Sequence, residues 1–366
     1  MSTTSFPVND ANAVKLWSKE LHAAERDTTD IAKLMGEDDN SVIQIKEDFS
    51  KTNRKGDQIT FSLRARIAGA GFSEGQRALG NAVGLSFYTD QLTINELGQT
   101  IGVESNNTID AQRVQFNLRD EGKNSLVEWW GTRKSAVFFN HVCGYIPANS
   151  ESATSGPKFT GFNTVVNHSA GRRIWAGTAT DDQSLTSGDT FTTALIDKAK
   201  ELAGIGDQIV RPVRVGGQPK YVMYLDPAQV TSLRTNASSG GWQDITKYAY
   251  SGLNPKEHPI YTGSLGEWNG VILRQSQDVT YGVHSGTSAA ETDVRRAVLL
   301  GAQAAVCGYG GVNKYGPMKY RWSEELDDHE RKLEVGAWSI WGLKKTRFNS
   351  VDFGVITVST YAVRQG

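Results

Sequence analysis

Gly71-Phe-Ser-Glu-Gly75 has the G-x-S-x-G spacing of a nucleophile elbow. In that motif glycines permit a strained strand-to-helix turn that lifts a serine hydroxyl for acyl transfer. Ser73 would then be the nucleophile. The surroundings oppose it: Gly80 and Gly84 fall where the helix should run, and no parallel β/α ladder encloses the motif. The stretch reads better as a glycine-rich loop tip, and a serine hydrolase using Ser73 is kept as the rival function. Gly69-Ala-Gly71 with Gly75 misses the last spacing of a dinucleotide fingerprint, and no Walker-type G-x-x-x-x-G-K-[ST] occurs. His141-Val-Cys143 is the one close His/Cys pair and Cys307 stands alone, so no zinc set forms; His141 reads as a helix-end histidine. Gly36-Glu-Asp-Asp-Asn40 lacks the alternating ligands of a calcium loop and reads as a solvated turn. Glu324-Glu325 and Asp327-Asp328 ahead of Arg331-Lys332 read as a solvated, ion-paired face. Lys344-Lys-Thr-Arg347 is the densest basic cluster, small for a phosphate site and equally suited to ion pairs between subunits. No cofactor, no metal and no catalytic residue is expected, and the chain is not read as an enzyme.

Composition narrows the classes further. Across 366 residues, 39 Lys+Arg oppose 40 Asp+Glu, a net charge of -1, which excludes a wholly basic nucleic-acid platform. Two Cys are too few for a disulfide framework. Nine Trp, 13 Phe and 12 Tyr exclude a disordered chain. No apolar run approaches the roughly 18 residues of a membrane span, and the first residues lack the pattern of a secretory signal, so no membrane partner is expected. Glycine, at 38 residues, is in excess over the usual share of about 7%.

The elements that would position these residues are the more informative part. Residues 1–50 read as an arm, with Val14, Trp17, Leu21 and Ala24 forming one apolar stripe on a helix over 11–26. Residues 56–104 read as a two-stranded tongue. Ile59, Phe61, Leu63, Ala65 and Ile67 alternate with Thr60, Ser62, Arg64 and Arg66, and the return strand runs near Leu85 to Ile94. Five Gly between 68 and 84 suit a flexible tip. An isolated hairpin is marginal in water, so the apolar face of the tongue is expected to rest on a neighbouring subunit. A long helix is expected over 107–144, capped by Asn107, weakened at Gly122 and Gly131, anchored by Trp129-Trp130 and stopped at Gly144. Val114, Leu118, Ser125, Trp129, Ala136, Val137 and Asn140 mark its expected inner side.

After a polar connection over 148–188, with a short strand at Arg173 to Trp175, an α/β alternation follows. It comprises a helix from Thr190 to Leu202, a strand at Tyr221 to Leu225 and a helix opened by Asp226-Pro227. A hairpin turn at Trp268-Asn-Gly-Val271, a strand at Arg296 to Leu300, a short helix from Ala302 to Cys307 and a last strand over 352–361 complete it.

Particular stretches carry a family likeness. They are Val14-Lys-Leu-Trp-Ser18, Leu34-Met-Gly36, Lys55-Gly-Asp57, Ile67-Ala-Gly-Ala-Gly71, Gln112-Arg-Val-Gln-Phe-Asn-Leu-Arg119 and Leu126 to Trp130. Later come Ala297-Val-Leu-Leu-Gly-Ala-Gln-Ala304, Gly342-Leu-Lys-Lys-Thr-Arg-Phe-Asn-Ser350 and Asp352-Phe-Gly354. In this order, the chain resembles the major capsid proteins of tailed bacteriophages, with the α+β HK97-like fold, and more narrowly their N4-like branch. The resemblance implies an N-terminal arm (1–50), an extended loop (51–104), and a peripheral domain (105–205) with its spine helix at 107–144. It further implies an axial domain (206–290) and a return to the peripheral domain (291–366). It implies self-assembly into hexamers and pentamers of an icosahedral shell that holds double-stranded DNA by confinement. Portal, scaffold and decoration proteins would be further partners, and the location would be the virion, assembled in the host cytoplasm. Trp17, Leu21 and Phe72 would bury on neighbours, and Arg64, Arg66, Lys344, Lys345 and Arg347 would supply intersubunit ion pairs.

Overall fold

The computed structural model describes residues 31–46, 56–64, 67, 71–75, 83–103, 118–146, 161–205, 209–235, 265–310, 320–329 and 332–364. The arm helix with Trp17 and Leu21, the Asn107 cap and Arg66 lie outside the described residues. Two short strands, β1 (Met35–Gly36) and β2 (Ile43–Lys46), flank the acidic turn. The tongue is the antiparallel pair β3 (Gln58–Arg64) and β4 (Phe87–Thr93), as the period-two alternation predicts. After one residue the chain enters β5 (Asn95–Val103), and then the long helix α1 (Leu118–Cys143). There follow β6 (Arg173–Trp175), α2 (Thr193–Gly204), β7 (Val213–Val215), β8 (Gln218–Leu225) and α3 (Pro227–Thr235). Next come β9 (Glu267–Trp268), β10 (Val271–Gln275), β11 (Tyr281–Val283), β12 (Ala290–Leu300) and β13 (Ala305–Tyr309). The chain ends with β14 (Arg321–Asp327), β15 (Lys332–Lys345), β16 (Arg347–Phe348), β17 (Val351–Asp352) and β18 (Val355–Tyr361).

These strands form two main sheets. The first has the order β1-β2-β13-β15-β14, with β5 also paired to β15. The second has the order β6-β18-β12-β8-β10-β9, with β11 on β12 and β7 on β8. β12 and β18 pair with each other, and β12 pairs with β8, so this sheet runs across the expected domain boundary at 290. α2 and α3 bury Leu195, Ala199, Val230 and Leu233 against the second sheet. α1 packs on the first sheet through Leu126, Trp130 and Val137, against Leu333, Val335 and Trp341.

α1 stays helical through Gly122 and Gly131 and ends at Gly144, whose φ of +68° suits a residue without a Cβ. Asp120 and Glu121 lie in its first turn, where carboxylates favour the positive end of the helix. The buried line is Leu126, Trp130, Val137 and His141. It coincides with the expected line only in part: Val137 and Asn140 of that line are buried, Ser125 is exposed, and Trp129 and Ala136 are half-buried. The reason is that the last turns are enclosed on more than one side. Phe139 meets Tyr224 of the second sheet edge-on at 5.3 Å, while Trp130 meets Trp341 of the first at 6.3 Å. A helix wedged between two sheets has no single inner stripe to find. Lys134 is buried as well, with Nζ donating to the Tyr309 hydroxyl at 3.1 Å and lying 4.8 Å from the Tyr320 ring centre.

Two further expectations change. Ala302 to Cys307 is not a helix: residues 305–309 form β13, a central strand between β2 and β15. Its short run of small apolar residues is ambiguous by period alone, and two strand neighbours decide it. Glu324 is not on a solvated face. It is 6% exposed, receives Trp322 Nε1–H at 2.8 Å and pairs with Arg119 at 2.7 Å. The helix start at Asp226 is as expected, with its carboxylate accepting from Ala228 N–H at 2.9 Å. The Asn269-Gly270 turn has both residues at positive φ, +46° and +76°, as a two-residue hairpin turn requires.

Candidate functional site

The tongue stands on the outer face of the first sheet, the face opposite α1. Ile59 and Leu92 bury there with Ile94 and Val306, and Phe61 and Ile340 pack at the margin. Close approach depends on Gly308 of β13, where a Cβ would sit 2.7 Å from both the Ile59 and Leu92 side chains. Each fully buried aliphatic contributes roughly 1.5–3 kcal/mol, so the root is held by hydrophobic burial. Polar clamps then fix its angle. Asn163 accepts from Thr93 N–H at 3.0 Å and donates to Thr93 O at 2.9 Å. Asp90 accepts from Lys344 Nζ at 2.6 Å and from Arg347 N–H at 3.1 Å. Phe61 meets Phe348 edge-on at 5.9 Å.

Beyond the root the tongue is uncovered. Ile67, Phe72, Val83, Leu85 and Phe87 are each more than half exposed, from 52% for Phe72 to 58% for Ile67 and Phe87. The proximal apolar residues therefore bury on the chain itself and the distal ones are left open, with Phe87, opposite Arg64 in register, on the face turned away from Ile59 and Leu92. Gly71 to Gly75 is an exposed turn, with Gly71 and Gly75 at φ +75° and +85°, and no strand of the described residues leads into it. The serine-hydrolase reading needs a strand-to-helix elbow, and none is seen among the described residues. His141 and His168 are buried at the end of α1, at 1% and 2% exposure. No cluster of three or more His, Cys, Asp or Glu suited to a metal exists among the described residues.

The basic cluster behaves differently from its expectation. Lys345 and Arg347 pair within the chain to Asp352, at 3.1 and 3.2 Å, and Lys344 pairs to Asp90. Lys345 is 2% exposed and cannot reach a neighbour from this position. Burial pushes its ammonium pKa down to about 8, against the opposing pull of the Asp352 carboxylate. Lys344 and Arg347 remain partly accessible at 20% and 22% of the side chain. Arg64 is exposed on the tongue.

Sequence reading missed the buried ionic ties between elements. Asp182 pairs with Arg296 at 2.7 Å and accepts from Val283 N–H at 2.8 Å. Burial alone would raise its carboxyl pKa, but Arg296 and these hydrogen bonds hold it below the usual value. Arg296 also donates to Cys143 O and to Asn167 Oδ1, both at 3.0 Å, which ties the end of α1 to the second sheet. His168 donates Nε2–H to Val142 O at 2.6 Å. Nothing local announces these partners, because they lie far apart in the chain.

The result is a two-sheet body with a projecting apolar tongue and no catalytic constellation among the described residues. Comparison with known families matches residues 5–364 to the phage capsid protein family. The chain belongs to that family. Among solved structures it is similar to the capsid of Ralstonia phage GP4, at 29% identity and a TM-score of 0.76, over 91% of this chain and 90% of that one. It shares its fold with the cyanophage Pam1 capsid, at 20% identity and a TM-score of 0.69, over 92% of each chain. It also shares it with the acid-stable capsid of Helicobacter pylori bacteriophage KHP30, at 15% identity and a TM-score of 0.62, over 91% of each. No curated protein matches. This phage capsid protein has the HK97-like fold, is structural rather than enzymatic, and builds the shell of the virion by association with copies of itself.

Proposed function

We propose that this chain is the repeating subunit of an icosahedral shell, arranged in hexamers and pentamers around double-stranded DNA held by confinement. The observation that carries the reading is the divided tongue. Its root is clamped to its own body, while Phe72, Val83, Leu85 and Phe87 remain exposed beyond it. Surface so apolar, on a narrow projection that its own body leaves uncovered, is stabilised by lying on a neighbour. Obligate interfaces are built mainly from such apolar contacts, with charges at the rim. Trp17, Leu21 and Arg66 are assigned to further contacts between copies, with Arg64, Lys344 and Arg347 as rim charges. Residues 206–290 are assigned to the capsomer centre, and portal, scaffold and decoration proteins are further partners during assembly in the host cytoplasm.

The test is expression of the full chain and of a form lacking residues 68–84, each followed by negative-stain microscopy and sedimentation. The full chain is expected to form closed shells. The shortened chain is expected to fold, with far-UV circular dichroism little changed, and to form few or no shells. Normal shells of normal stability from the shortened chain would refute the role given to the tongue.

A further inference from the structure

Among the described residues, the outer face of the first sheet is covered by the tongue over only one end. Along β15, Leu333, Val335, Ala337, Trp341 and Leu343 face α1, while Glu334, Gly336, Trp338, Ile340, Gly342 and Lys344 occupy the opposite face. The tongue root takes the end near Ile340 and Lys344. From there it runs toward Phe348, away from Trp338. At the other end Trp338 lies flat on the sheet. Its indole occupies the space where a Cβ would stand on Gly98, directly across the ladder, and on Gly336, two residues earlier on the same face. Two glycines thus seat one large aromatic ring on the solvent side, where it stays partly exposed. Around it stand the exposed Glu96, Thr100, Arg321, Glu325 and Glu334, which the register places on the same face. A rigid aromatic ringed by polar groups is how interface hot spots are built.

We infer that Trp338 is the centre of a seat for the distal tongue of a second copy of this chain. The inference rests on the proposed tongue-on-neighbour reading and gives that contact its location. Three observations choose the occupant. The same face, a few residues along, already takes apolar tongue residues from its own chain. The distal tongue carries Val83, Leu85 and Phe87, all more than half exposed, within five residues that lead into β4. Arg64 lies opposite Phe87 in register and so beside it on the same side, which sets a cation against a rim of three glutamates and one arginine.

The test is a double-mutant cycle on shell assembly by the full chain. Trp338→Ala and Phe87→Ala are each expected to raise the critical concentration for assembly by about tenfold. The double variant should cost little more than either alone, because both changes remove one contact. Fully additive effects would overturn the tongue as the occupant, and an unchanged critical concentration in Trp338→Ala would overturn the seat. Arg64→Glu changes an exposed group that no buried contact of the fold requires. It should weaken assembly, and replacing Glu96, Glu325 and Glu334 together by Lys should restore it; weakening without rescue would also overturn the seat. If removal of residues 68–84 blocks shells while Trp338→Ala forms them normally, the tongue docks elsewhere: the proposed function stands and this seat falls.

Discussion

At the residue scale, the informative groups are buried charges, one of which, Glu324, the sequence reads as part of a solvated face. Asp182, Asp352 and Glu324 are each at most 6% exposed and each faces a cation. A buried charge is tolerated only when paired, so these positions report contacts between elements rather than solvent. His168 is the complementary case. Burial is the first cause that pushes its pKa well below the ordinary 6.5, and Lys345, Arg296 and Arg173 add to it. The unfolded chain therefore takes up this proton more readily than the folded one. Stability is unaffected by His168 above about 6.5 and is lost as pH falls below it, toward the depressed folded value. A His168→Gln variant can keep the bond to Val142 O through its amide and has no proton to gain. The fall in urea midpoint of the unassembled subunit from pH 7.5 to 5.0 is expected to be shallower in this variant than in the wild type. Equal falls would remove His168 from the acid response.

At the element scale, the tongue joins sequence to assembly. Its period-two pattern makes it legible, but the pattern cannot divide a covered root from an open distal part. That division comes from the body, through Gly308 and the Asn163 and Asp90 clamps. Asn163 acts much as a strand neighbour would, giving and taking one bond at Thr93. Replacing it with Ala leaves that backbone pair without its partner, at about 1–3 kcal/mol. The expected outcome is faster hydrogen exchange across Ile59 to Leu63, by roughly tenfold or more, with exchange in α2 unchanged. Exchange that stays slow along β3 would mean that hydrophobic burial alone sets the angle of the tongue.

At the scale of the whole molecule, 39 cations against 40 anions describe a chain with no net demand for counter-charge. A shell of such subunits does not need nucleic acid to neutralise it. Assembly of nuclease-treated chain is expected to give shells with the ultraviolet absorbance ratio of protein alone, and shells that form only when DNA or RNA is added would contradict this. The sequence by itself determined the local devices: the alternation of the tongue, the stop at Gly144, the Asp226-Pro227 helix start and the Asn269-Gly270 turn. Those depend on backbone sterics and on side-chain period within a few residues. Only the tertiary structure decided that residues 305–309 are a strand, that Lys345 faces inward, and that Trp338 lies on two glycines. The pairing of β13 with β15 and the seating of Trp338 on Gly98 depend on partners remote in the chain, as do the ion pairs Arg119–Glu324 and Asp182–Arg296, whose members lie 205 and 114 residues apart. No window of sequence holds both members of such a pair, and burial, which selects the pairing, exists only once the two sheets have closed on α1.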